Sequence, residues 1–315
     1  DTNTTRFATP IARALEAAGL RVLSQVLPAG ESAKTRAVKA EVEDAMLDAA
    51  IDRSACLVAV GGGVVLDLGG FVAATYMRGI DHVNVATSAL AQIDAAIGGK
   101  TAINTPRGKN LIGAFHHPRA VVLDEAALAQ LPRVERLNGL AEAVKHAVIR
   151  DAALFDALEA WPGDDALLPE PLLHRCVAIK AEVVAADASD AGLRNMLNYG
   201  HTVAHAIEGA THGGMAHGHA VAVGMVVEAR LAEAEGGFPS ADRARLERLL
   251  ERLGLPITPP CSFEAAAPFF LSDKKNEAGE IRCAIPAAIG QSLPTSGPFT
   301  RAVSRAALQR AWGPP

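Results

Sequence analysis

Cys56-Leu-Val-Ala-Val60 is a short, unbroken apolar run that ends in Gly61-Gly62-Gly63, and helical spacing begins at Val64 and continues to Thr75. A strand that is apolar on both faces must be covered on both faces. The arrangement that does this is a parallel sheet with helices above and below. Two more short apolar runs, His82–Ala86 and Ala120–Leu123, read as strands. Helical patterns cover Phe7–Ala18 and a stretch through Val38, Val42, Met46 and Leu47. Arg21–Leu27 reads as a further strand, and residues 28–34 as a loop that opens a helix. Strands alternating with helices predict an α/β, Rossmann-like domain.

The texture changes near Leu131-Pro132. Beyond it the pattern is almost wholly helical, with helices expected at about 136–149, 151–161, 167–187, 191–211, 217–236 and 240–253. Pro259-Pro260 and neighbouring Pro/Gly segments divide the rest into shorter pieces. The expected organisation is an α/β domain over 1–130, lacking its first strand, and an all-α domain over 131–315.

The chain has 315 residues, 50% hydrophobic and 21% charged, as a soluble globular protein with two real cores would have. Lysine and arginine total 30 against 35 acidic residues, so no basic field invites nucleic acid and any anion site must be built locally. Cys56, Cys176, Cys261 and Cys283 form no Cys-x-x-Cys pair, which argues against a thiolate zinc knuckle. No leader pattern and no apolar run of about twenty residues is visible, so a cytoplasmic protein without a membrane partner is expected.

Three stretches carry chemistry. The glycine turn Gly61-Gly62-Gly63 lets a phosphate approach the backbone, and the helix behind it supplies N–H donors and a positive dipole end. It is neither Gly-x-Gly-x-x-Gly nor a Walker loop. Gly98-Gly99-Lys100-Thr101, with Asp94 upstream and Lys109-Asn110 downstream, offers cations and polar groups around glycines. Arg78 could clamp a carboxylate bidentately.

The third is the richest. Glu142, Lys145 and His146 share a helix face at i, i+3 and i+4. Arg194, Asn198, His201, His205, His217 and His219 then crowd into residues 194–219. One carboxylate and two imidazoles would leave zinc an open position, as a Lewis-acid site requires. Spacing alone does not choose among His146, His201, His205, His212, His217 and His219.

Taken together, these segments resemble the 3-dehydroquinate synthases of the sugar-phosphate cyclase family over about residues 1–290. The motifs are Pro28–Lys34, Gly61–Asp67, Asp94 through Asn110, Leu140–Lys145, Ala178–Lys180, Gly192 through His205, His217-Gly218 and Asp273–Lys275. The resemblance implies NAD⁺ in the α/β half. Glu31 and Lys34 would be on its adenosine ribose side, with Gly62, Gly63, Val64, Asp67, Thr87, Ser88, Lys100 and Lys109 along the rest. It implies zinc, or cobalt in its place, held by Glu142, His201 and His217.

It also implies a sugar-acid phosphate substrate met by Arg78, Asp94, Asn110, Lys180 and Lys274 or Lys275. Lys100, Lys145, Asp190, Arg194, Asn198 and His205 would act in catalysis. The implied reaction converts 3-deoxy-D-arabino-heptulosonate 7-phosphate to 3-dehydroquinate and phosphate. It runs by transient oxidation at C5, elimination, re-reduction and aldol closure, in a homodimer.

The chain departs from the family at Asp190, Ser88, Ala86 and His219, where glutamate, threonine, proline and glutamate are usual. Competing expectations are another cyclase such as an aminodehydroquinate synthase, a metal- and NAD-dependent polyol dehydrogenase, and a non-catalytic relative.

Overall fold

The computed structural model describes residues 1–163, 165–235, 237–270, 280–292 and 299–313. It divides into two compact units, Asp1–Gln130 and Leu131–Pro315. Each is described by itself.

The first unit opens with α1 (Thr5–Ala17) and α2 (Arg36–Asp48). Thr35 caps α2 by accepting from the Val38 amide. Next come β1 (Cys56–Gly61), α3 (Gly63–Thr75) and β2 (Asp81–Ala86). A hairpin follows, made of β3 (Lys100–Thr105) and β4 (Gly108–Phe115), and then β5 (Ala120–Leu123) and α4 (Glu125–Ala129). Strands β1, β2 and β5 form a parallel sheet in that order, with Cys56 opposite Asp81 and Val83 opposite Ala120.

Helix α3 is buried along most of its length, consistent with its apolar sequence. Gly70 permits this, since a Cβ there would lie 2.5 Å from Thr101 Cγ2 on β3. Buried Gln92 ties the unit together by donating to the carbonyls of Ala86 and Asp124.

One local expectation is corrected here. Residues 21–27 form no strand, because β spacing does not by itself supply a hydrogen-bonding partner. The segment from Lys100 to Phe115, for which no element was expected, is the antiparallel β3–β4 hairpin.

The second unit is mainly helical: α5 (Arg133–Arg150), α6 (Ala152–Ala160), α7 (Glu170–Ala186), α8 (His201–Ala210), α9 (His217–Ala234), α10 (Ser240–Leu253) and α11 (Phe263–Phe270). It also carries two small ladders, β6 (Ile281–Cys283) with β9 (Arg301–Val303), and β7 (Pro286–Ala288) with β8 (Gln291–Ser292). It closes on α12 (Arg305–Trp312), whose Trp312 indole packs against Phe263 and Phe270.

Helices α5 and α9 form its centre. Every residue from Leu137 to Ile149 is buried, and so is nearly all of α9 from Gly218 to Ala232. The single helix expected over 191–211 is broken. Leu193–Asn198 is a 3₁₀ segment, and Gly200 takes φ +81° before α8 begins. Among the described residues, no helix is long and apolar enough to cross a membrane.

Candidate functional site

In the second unit, three helices bring one carboxylate and two imidazoles together. Glu142 lies on α5, His201 begins α8 and His217 begins α9. Glu142 Oε1 is 3.5 Å from Nε2 of His201 and 3.5 Å from Nε2 of His217. Ligand atoms of the three lie within 4.8 Å of one another. Lys145, one turn along α5 and fully buried, is ion-paired with Glu142.

Close backbone approach makes the meeting possible. A Cβ on Gly224 would fall 1.9 Å from Gly200 O, so α9 crosses the start of α8 at a distance only glycine allows. Glu228, buried on α9, accepts from the Gly200 amide at 2.7 Å and the Val203 amide at 3.4 Å. It caps α8 from a neighbouring helix, filling the role a local side chain usually plays. Asn138, four residues before Glu142, accepts from the Gly218 amide at 3.0 Å and so fixes the first turn of α9.

Each imidazole is held through its other nitrogen. His201 Nδ1 lies 3.2 Å from the Tyr199 carbonyl oxygen, and His217 Nδ1 lies 3.4 Å from Glu208 Oε1. An Nδ1–H that donates to such an acceptor leaves Nε2 as the bare electron pair, which is how metal-binding histidines are usually oriented. The donors are one carboxylate oxygen and two imidazole nitrogens, a set suited to a divalent ion such as zinc with a position left open.

The two rings titrate apart. Burial pushes His201 well below the usual imidazole range. Burial also opposes protonation of His217, but hydrogen bonds to Glu142 and Glu208 outweigh it and carry the group up to about 10. One carboxylate cannot neutralise two imidazolium ions, so the proton goes to the ring with two carboxylates.

Around this centre, His205 lies edge-on to His201, with ring centroids 5.8 Å apart. Lys180 on α7 and Arg194 in the 3₁₀ segment are both buried. The Asp187 carboxylate organises the turn before Arg194 by accepting from the amides of Ala191, Gly192 and Arg194. Those hydrogen bonds, led by that of the Arg194 amide, hold Asp187 down at about 2. Asp190 sits in the same turn at φ +61°. Asn198 donates to Asn195 Oδ1 at 3.2 Å. Lys274 and Lys275 lie outside the described residues.

The first unit assembles a second group. Lys34 Nζ donates to both the Asp67 carboxylate and Asn110 Oδ1. Burial pushes Asp67 up from the usual carboxylate range, while the Lys34 ammonium pulls it back. Asn104 extends the chain of contacts, accepting from the Asn110 amide at 3.0 Å and donating to Glu31 Oε1 at 2.6 Å. Glu31, Lys34, Asp67 and Asn110 are thus one network; Asn110, expected at a substrate, is bonded to Lys34.

Gly62 precedes α3 as its cap, with Gly63 and Val64 in its first turn. A Cβ on Gly62 would stand 3.3 Å from Ser88 Oγ, and Ser88 Oγ accepts from the Ala91 amide. Thr87 is buried, and its amide donates to Gly61 O. Asp94 lies in a wide π turn, Ala91–Ala95. Lys100 and Lys109 are exposed on β3 and β4, and Arg78 is exposed on a tight turn at φ +67°.

Sequence reading passed over Asn104, Asn138, Asp187, Glu208 and Glu228. Two had a local signal: Glu208 is seven residues after His201, and Asn138 four before Glu142, each on the same helix face.

Two family models match the chain, described as 3-dehydroquinate synthase N-terminal over residues 24–138 and 3-dehydroquinate synthase C-terminal over residues 139–276. The chain belongs to the dehydroquinate-synthase-like family of sugar-phosphate cyclases.

Solved structures agree with this assignment. A 2-epi-5-epi-valiolone synthase from Streptomyces hygroscopicus subsp. jinggangensis 5008, with NAD⁺ and Zn²⁺ bound, is 28% identical with a TM-score of 0.87; the match covers 98% of this chain and 86% of that one. A 2-deoxy-scyllo-inosose synthase complexed with carbaglucose-6-phosphate, NAD⁺ and Co²⁺ is 26% identical with a TM-score of 0.84, covering 90% of this chain and 80% of that one. Glycerol dehydrogenase from Schizosaccharomyces pombe, 18% identical with a TM-score of 0.65 over 97% of this chain and 78% of its own, shares the fold. This cyclase is therefore an enzyme of a family in which two solved members hold NAD⁺ and a divalent metal.

Proposed function

We propose that this cyclase is a 3-dehydroquinate synthase, converting 3-deoxy-D-arabino-heptulosonate 7-phosphate to 3-dehydroquinate and phosphate with no net redox change. The observation that supports it is the Glu142–His201–His217 donor set in a chain whose two halves both match models described as 3-dehydroquinate synthase. Glu142, His201 and His217 would hold Zn²⁺ or Co²⁺. The Lys34–Asp67 pair, Glu31 and the glycine turn at Gly62, Gly63 and Val64 would hold NAD⁺, with Thr87, Ser88, Lys100 and Lys109. When bound, NAD⁺ supplies a reversible hydride acceptor and the metal a Lewis acid for the substrate hydroxyls.

The chain's own residues then bind and orient. Lys145 is ion-paired with Glu142 beside the donor set. Lys180, Arg194 and Asn198 hold the anionic, hydroxyl-rich substrate, with Asp190 in the turn that carries Arg194. Arg78, Asp94, Lys100 and Asn110 are further candidates for its polar groups. Lysine and arginine serve here as fixed positive charges for a carboxylate and a phosphate, and positioning of this kind lowers the barrier without a covalent step. His205 moves a proton at an imidazole nitrogen. The homodimer and the cytoplasmic setting belong to this same reading.

A second reading is a cyclase of a different sugar phosphate, favoured by the resemblance to valiolone and inosose synthases. The deciding experiment incubates the purified protein with the heptulosonate phosphate, NAD⁺ and Zn²⁺. Phosphate release matched by 3-dehydroquinate, with no lasting NADH absorbance, is the expected result. Turnover of a different sugar phosphate in its place would select the second reading, and net NADH formation would mark a dehydrogenase.

A further inference from the structure

We infer that Glu208 is a positioning residue for the metal ligand His217, acting through the Nδ1 side of its ring. This rests on the metal reading of the Glu142–His201–His217 cluster. Glu208 Oε1 is 3.4 Å from His217 Nδ1, on the side of the ring away from the nitrogen that faces Glu142.

The placement of Glu208 suits such a use. Its side chain is nearly buried, and it sits in the last turn of α8, where the helix dipole is negative and a carboxylate is disfavoured. A charge kept there is held by its neighbours, and the His217 ring is one of them. The partnership serves the ring in two ways. It fixes the Nδ1–H tautomer, so that the Nε2 electron pair faces the other two donors. It also makes that electron pair more basic, which tightens binding of a divalent ion.

His201 is held in the same manner by a backbone acceptor, the Tyr199 carbonyl. The two imidazoles are thus oriented differently, one by the main chain and one by a carboxylate. Only the second can be altered by a single side-chain substitution.

The test is metal binding, read apart from turnover. Metal-free wild type, Glu142→Ala, Glu208→Ala and Glu208→Gln are titrated with Co²⁺ alone, following its visible d–d absorption, and then with Zn²⁺ in competition. Wild type is expected to bind and Glu142→Ala to fail. Glu208→Ala should bind about 10–100-fold more weakly with altered d–d bands. Glu208→Gln, which keeps an acceptor oxygen without the charge, should fall between wild type and Glu208→Ala.

Wild-type affinity and spectrum in Glu208→Ala, with binding lost in Glu142→Ala, would overturn the role of Glu208 and leave the metal site standing. Binding absent from wild type, or unaffected in Glu142→Ala, would overturn the metal site and this inference together. If Glu208→Ala does not fold, the near-isosteric Glu208→Gln decides alone, and unchanged Co²⁺ affinity in it refutes the proposal.

Discussion

Gly218 rests directly on Asn138: its amide donates to Asn138 Oδ1 at 3.0 Å, and a Cβ at Gly218 would fall 2.5 Å from Asn138 Cα. This contact holds the first turn of α9, and with it His217, against the helix that carries Glu142. Gly218→Ala would push backbone against backbone, which cannot be relieved by turning a side chain. We expect a loss of about 1–3 kcal/mol in stability and at least a tenfold loss (~1.4 kcal/mol) in Zn²⁺ affinity. Urea denaturation and chelator competition check both. Retained zinc affinity would mean that His217 is placed by something else.

Glu228 replaces a local cap with a carboxylate delivered from α9. Glu228→Ala leaves the Gly200 and Val203 amides without their acceptor in a buried site. The expected cost is about 1.5–3 kcal/mol, the range for hydrogen bonds to charged groups. Glu228→Gln should recover part of it. A urea midpoint within error of wild type for the alanine variant would contradict the capping role.

The Lys34–Asp67 pair should govern nucleotide affinity and leave metal affinity unchanged, since neither residue is among the Glu142, His201 and His217 donors. Lys34→Ala and Asp67→Asn are each expected to weaken NAD⁺ binding roughly tenfold, or about 1.4 kcal/mol. The double variant should be less destabilised than the sum of the singles, because each single change strands a largely buried partner. Calorimetric NAD⁺ titration together with a Co²⁺ titration separates the effects. Parallel loss of both ligands would count against this assignment.

His82 predicts a pH dependence. Its ring is buried and stacked on His116 at 5.0 Å, and burial, aided by His116, lowers it to about 4 from an ordinary 6.5. Between those values the unfolded chain binds a proton that the folded chain does not. Stability from this group is therefore complete above about pH 6.5 and is lost as pH falls toward 4. His82→Phe should flatten the melting temperature across that window. An unchanged slope would show that other groups dominate it.

Much of this was legible locally. The apolar run into Gly61, the helical half beyond Leu131, and the shared face of Glu142 and Lys145 all follow from the periodicity of the chain. Residues 21–27 misled because alternation describes one strand, whereas a strand exists only with a partner. The 191–211 pattern hid a break because Gly200 was one glycine within a helical rhythm, and its left-handed backbone is fixed by the close passage of α9. Asp187 gave no signal at all; its amide contacts come from a turn whose shape periodicity does not describe.

The sequence by itself determined which residue types were on hand and which faces of which helices carried them. Spacing alone left six histidines equally eligible as ligands, and the resemblance pointed to His201 and His217. The tertiary structure decided that His201 and His217 meet Glu142, through two glycine-mediated approaches: α9 onto Gly200, and Gly218 onto Asn138. The physical reason is that a metal site joins donors from helices far apart in the chain. Local periodicity orients a side chain about its own helix axis, but only packing fixes the distance to the next helix.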